Sequence, residues 1–123
     1  MRCDEYGLQQ KIEAMLTVMG TKYLKKEYKD KWSENNPTRG YCYVVSEVLH
    51  HYYYTNTDPY IIKVGDETHW FLKTHEGRVI DFTASQYMFK LDYSEGKKAY
   101  FLTKQPSKRG QILADLLSKG EIL

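Results

Sequence analysis

Apolar residues change their spacing near Thr55–Pro59, and that change limits the fold more than any other feature of the chain. Before it, Leu8, Ile12, Met15, Leu16 and Met19 recur at helical spacing. A second set, Cys42, Val45, Val48 (or Leu49) and Tyr52, does the same. After it, "YIIKV" (60–64), "HWFLK" (69–73) and "RVIDF" (78–82) are short, β-branched or alternating, and the turn formers "GDET" and "THEG" separate them. These three read as an antiparallel meander, with "AYFLT" (99–103) as a fourth strand and "TASQYMFK" as a short helical turn. The period then returns to helical: Ile112, Leu113, Leu116 and Leu117 share a face, and Gly120 is placed to end the helix. The order helix, helix, strands, helix predicts an α+β fold, with helices packed on a small antiparallel sheet of three to four strands.

With 123 residues the chain suits one domain, covering 1–123. The segment "TKYLKKEYKDKW" can continue the first helix past Gly20, with Leu24 and Tyr28 four apart. "SENNPTRG" is a loop by its turn chemistry. The net charge of +2 is too small to argue for a nucleic-acid surface, although the lysines and aromatics interleaved over 22–32 could track a phosphate backbone. A solvated helix face with its rings turned inward is the stronger reading of that segment. No apolar run approaches the roughly 18 residues of a membrane span, and the first ten residues lack the apolar core of a secretory signal. The expected compartment is the cytoplasm, with no membrane partner.

Cys3 and Cys42 cannot build a disulfide framework, and Cys3 reads as a reduced free thiol. His50 and His51 are adjacent and so do not face each other on a helix, which argues against a metal site; no cofactor is implied either. The 12 tyrosines suggest a contact face, since the ring offers apolar area and a hydroxyl together.

Cys42 follows Pro37 and Gly40 and opens a helical run. A helix N-terminus favours negative charge through its dipole and its free N–H groups, so a thiol placed there is a candidate nucleophile. The competing reading is a small buried apolar residue. His69 opens one predicted strand and Asp81 lies on the next, on either side of "THEG". Alternation puts His69, Phe71 and Lys73 on one face, and Val79 and Asp81 on one face of their own strand. An odd-length loop would make those faces the same and bring His69 and Asp81 opposite, or nearly opposite, each other. A histidine can then hold the thiol's proton while the carboxylate orients the ring.

"WSENNPTRGYC", followed by "HWFLKTHEGRVIDFTASQY", resembles the small bacterial YunG-like proteins, and more broadly the papain-like and transglutaminase-like cysteine enzymes. The resemblance covers about Trp32 to Tyr87. It implies a papain-like core of the NlpC type. Cys42 would be nucleophile, His69 general base and acid, and Asp81 its orienting partner. The oxyanion would meet the Cys42 N–H and an upstream polar side chain. Papain-like enzymes carry a Gln before the cysteine, and this chain has Tyr41 there, so Tyr41 and Asn36 are the candidate donors. The expected function is a hydrolase or acyltransferase acting on an amide, isopeptide or thioester bond of a protein or peptide-like substrate. The alternative is an inactive binding module, such as a phage or mobile-element protein that seizes a host protein or ligand.

Overall fold

The computed structural model describes residues 5–122, so Cys3 lies outside the described residues. Helix α1 (Glu5–Met19) buries Leu8, Ile12, Leu16 and Met19, the stripe its spacing predicts. Each such side chain taken fully from water contributes about 1.5–3 kcal/mol. The helix does not continue into the lysine-rich segment. Gly20 sits at φ +57° and its N–H donates to the Leu16 carbonyl at 2.8 Å, a left-handed cap that turns the chain out of the helix. Only a short turn of helix follows, α2 (Lys26–Lys29). Leu24 is buried, while Tyr23, Tyr28 and Trp32 lie half-buried against the core, so the rings face inward as the solvated-face reading requires.

Helix α3 (Cys42–Tyr52) runs through the middle of the molecule and buries Val44, Val45, Ser46, Glu47, Val48 and Leu49. Two long strands follow, β1 (Thr57–Val64) and β2 (Glu67–Thr74), joined by a two-residue turn whose Gly65 has φ +62°. The third strand, β3 (Val79–Ile80), is shorter than "RVIDF" suggests, because Asp81 leaves the ladder to bind the following backbone. The fourth, β4, is Lys97–Lys98 rather than Ala99–Thr103. The predicted segment instead leaves the sheet after the Ala99 N–H bonds Pro59, and carries Phe101 onto Tyr43 and Trp70. Strand order is β3-β2-β1-β4, with all neighbours antiparallel.

The sheet separates two cores. Leu72, Ile80 and Phe82 join the helices on one side, and Ile62, Phe71 and Leu91 form a smaller cluster on the other. Helix α4 (Lys108–Ile122) closes the first core with Leu113 and Leu117, and Ile112 and Leu116 pack at its edge. It runs through Gly120 instead of ending there. Its N-terminus is fastened to α3: the buried Glu47 carboxylate accepts from the Ser107 N–H at 3.0 Å and hydroxyl at 2.5 Å. No helix among the described residues is long and apolar enough to cross a membrane.

Candidate active site

The loop before α3 sets the position of Cys42. Gly40 has φ +84°, and a Cβ there would lie 2.9 Å from Leu24 Cδ2 and 3.0 Å from Tyr28 Cβ, so only glycine fits this close approach. Tyr41 follows as the N-cap and makes no side-chain cap bond, which leaves the first N–H groups of α3 without an intrahelical partner. Cys42 is the first helical residue. Its side chain is partly exposed, and Sγ makes a long contact of 3.9 Å with the Thr68 carbonyl on β2.

His69, one residue further along β2, is fully buried and its Nε2 lies 2.7 Å from Asp81 Oδ2. The register Leu72↔Ile80 extends to place Asp81 beside Phe71, two residues from His69 on the same face. The two therefore share a face, as expected, but meet diagonally rather than directly opposite. The carboxylate is fixed from several sides. Its Oδ1 accepts from the Thr83 N–H at 3.1 Å and the Thr83 hydroxyl at 3.3 Å, and the Tyr93 hydroxyl donates to Oδ2 at 2.7 Å. Tyr87 meets the His69 ring edge-on, with centroids 5.2 Å apart, and Phe71 stacks on it at 6.4 Å.

The electrostatics follow from these partners. Burial alone would lower the His69 pKa, but the Asp81 hydrogen bond and charge and the nearby Cys42 thiol outweigh it and lift the value to about 9. Nδ1 is buried and closes no hydrogen bond of its own. With Nε2 held by Asp81, the ring presents Nδ1 as the nitrogen free to exchange a proton with the thiol that couples to it. At neutral pH the imidazole is a cation between a carboxylate and a sulfur, an arrangement that can deliver a proton to a departing group.

Cys42, His69 and Asp81 are thus brought together, whereas the two expected oxyanion donors are not. Tyr41 is fully buried and its hydroxyl donates to the Gly20 carbonyl at 2.6 Å, which turns it into the core and away from the thiol. Burial raises its pKa to about 12. Asn36 spends its amide N–H on the Gln86 carbonyl at 3.1 Å, so it ties two loops together. Tyr87 and Gln86 line the cleft with Cys42 instead, a cavity of about 440 Å³ that also takes in Tyr28, Thr68 and Trp70. Gln86 gives its amide N–H to the Thr83 carbonyl, and its oxygen faces Arg39 and the Gly40 N–H.

A second clamp is equally absent from the strand and helix patterns. Arg39 makes a two-pronged bond to Glu67, at 2.8 and 2.6 Å, and Lys31 adds a contact to the same carboxylate at 3.2 Å. Arg39 stands three residues before Cys42 and Glu67 two before His69, so the pair pins the turn that precedes Cys42 to the strand that carries His69. Opposite charges a few residues before Cys42 and His69 are the signal that could have revealed it. Among the described residues no group of His, Cys, Asp and Glu is placed to hold a metal ion.

A family model described as YunG protein matches residues 9–118. No curated protein and no solved structure matches the chain.

Proposed function

The chain belongs to the YunG family, and from that premise we propose that it is a papain-like cysteine hydrolase or acyltransferase. One observation carries the reading: a cysteine at the first position of a helix lies beside a buried histidine whose far nitrogen is locked to a carboxylate at 2.7 Å. In this reading the Cys42 sulfur attacks a carbonyl carbon of a protein or peptide-like substrate. The carbonyl oxygen takes the electron pair and is met by the free Cys42 N–H at the start of α3. Tyr87 is the cleft-lining hydroxyl that replaces Asn36 and Tyr41 in this role. Burial, with charge from Cys42, pushes its pKa up and keeps it a donor. The His69 Nδ1 proton passes to the leaving nitrogen or sulfur as the tetrahedral state collapses to a thioester on Cys42. Water or an amine then loses its proton to His69, attacks the thioester, and releases the thiol.

Peptide mapping after brief iodoacetamide treatment at neutral pH tests this reading. Cys42 should alkylate well ahead of a free cysteine, and Cys42→Ala should abolish the modified peptide. Alkylation no faster than that of free cysteine would refute the activated nucleophile. A second reading, a binding module on the same scaffold, is favoured by the exposed Met88, Phe89, Tyr100 and Leu102. It expects Cys42→Ala to retain the protein's full biological effect.

A further inference from the structure

Tyr87 separates the thiol cleft from a second depression. Its ring contacts His69 on one side, and on the other it lies 5.6 Å from Phe89. Beyond it a groove of about 400 Å³ is walled by Val64, Met88 and Phe89, and it shares Glu67, Gln86 and Tyr87 with the thiol cleft. Leu91 anchors this segment in the smaller core, while Met88 is completely exposed and Phe89 is 60% exposed. Met88 and Phe89 are thus adjacent apolar side chains held in water at the edge of a groove that shares its lining with the Cys42 cleft. The charges in the groove wall are already spent: Arg39 and Glu67 are bonded to each other at both nitrogens, and the guanidinium lies 5.9 Å from the Tyr87 ring centre. What the groove has left to offer an occupant is apolar contact, and its wall is continuous with the cleft that holds the sulfur.

We propose that this groove is the specificity subsite, and that the substrates are acyl donors with a bulky apolar or aromatic group next to the reacting carbonyl. The inference rests on Cys42 as nucleophile. The carbonyl lies at Cys42, and the apolar group crosses Tyr87 to rest on Met88 and Phe89.

Chloroacetamide and its N-phenethyl derivative provide the probe. Both transfer the same carbon to sulfur with loss of chloride, and only the second has an apolar arm. Each rate at Cys42 is divided by the rate with free cysteine. The arm should give about a tenfold preference, the factor expected for burying one aromatic edge. In Met88→Ser/Phe89→Ser the preference should fall to near one. In Tyr100→Ser/Leu102→Ser, which removes exposed apolar groups outside the groove, it should persist. A wild-type ratio near one, a ratio unchanged in the first variant, or one lost equally in the second would overturn the subsite while leaving a fast parent reaction intact. A parent rate no greater than that of free cysteine would overturn the nucleophile, and the subsite with it.

Discussion

Replacing Asp81 by Asn keeps the size and one acceptor oxygen of the side chain but removes its charge. In the wild type His69 titrates near 9 against an ordinary 6.5, so about 2.5 pKa units are gained in spite of full burial. That corresponds to about 3 kcal/mol favouring the imidazolium. Burial is the largest single influence and opposes the proton; of the groups that favour it, Asp81 leads and Cys42 follows. With the burial penalty left in place, the Asp81→Asn variant should titrate well below the wild type, while Cys42→Ser should fall by less. Nitrogen-detected imidazole titration reads this directly, with His69→Gln assigning the resonance among the four histidines. The same proton has a stability consequence of fixed sign. A histidine whose folded pKa is raised contributes its full stabilisation below about 6.5 and loses it as pH rises through about 9. Urea midpoints of the wild type should fall across that window, and those of Asp81→Asn should lack that component of the slope. If His69 in the variant titrates within about half a unit of the wild type, the carboxylate is not what holds the proton.

Tyr93→Phe removes a donor from Asp81 Oδ2. The Asp81 charge then bears more fully on His69, whose titration should move further up, and urea unfolding should show a loss of about 1 kcal/mol. Arg39→Glu and Glu67→Arg should each slow Cys42 alkylation, and the charge-swapped double variant should recover much of the rate; additive losses would refute the clamp. Arg39 lowers the Glu67 pKa, so the stabilisation from this pair is present above the ordinary carboxylate value and fades as pH falls through the lowered one. Gly40→Ala should cost about 2–3 kcal/mol in urea unfolding, because the left-handed backbone and the close Leu24 and Tyr28 contacts both oppose a Cβ. A loss under about 0.5 kcal/mol would show that the turn can adapt.

Local pattern carried the parts of this molecule that local physics decides. Alternation narrowed His69 and Asp81 to the same face or opposite faces, because side chains in a strand repeat every two residues, and the register of β2 with β3 decides for the same face. The Pro37-to-Gly40 turn announced the start of α3 in the same way. What eluded the sequence depends on partners far along the chain. Tyr93 reaches Asp81 only because the loop after β3 returns beneath Phe71. Gln86 ends the short helical turn Ala84–Gln86 that "TASQYMFK" predicts, but nothing in that segment announces that Gln86 and Tyr87 line the cleft. Tyr41 sits next to Cys42 in sequence but points into the core. Adjacent helix positions are about 100° apart, so proximity in the chain says little about proximity in the site. The strand drawn at Ala99–Thr103 failed for a related reason: apolar residues that look like a ladder instead serve the aromatic packing around Trp70.

The inward turn of Tyr41 restricts how this site could be re-engineered. Restoring an amide before the cysteine, as Tyr41→Gln, exchanges a large ring for a shorter chain at a fully buried position, and it strips the Gly20 carbonyl of its hydroxyl donor. A void of that kind costs about 3 kcal/mol or more, and the new amide would inherit the ring's direction, into the void and away from the sulfur. Here the residue before Cys42 is a hinge pin joining the end of α1 to the start of α3. In the proposed reaction, the oxyanion donor is instead drawn from the cleft lining, where Tyr87 already stands.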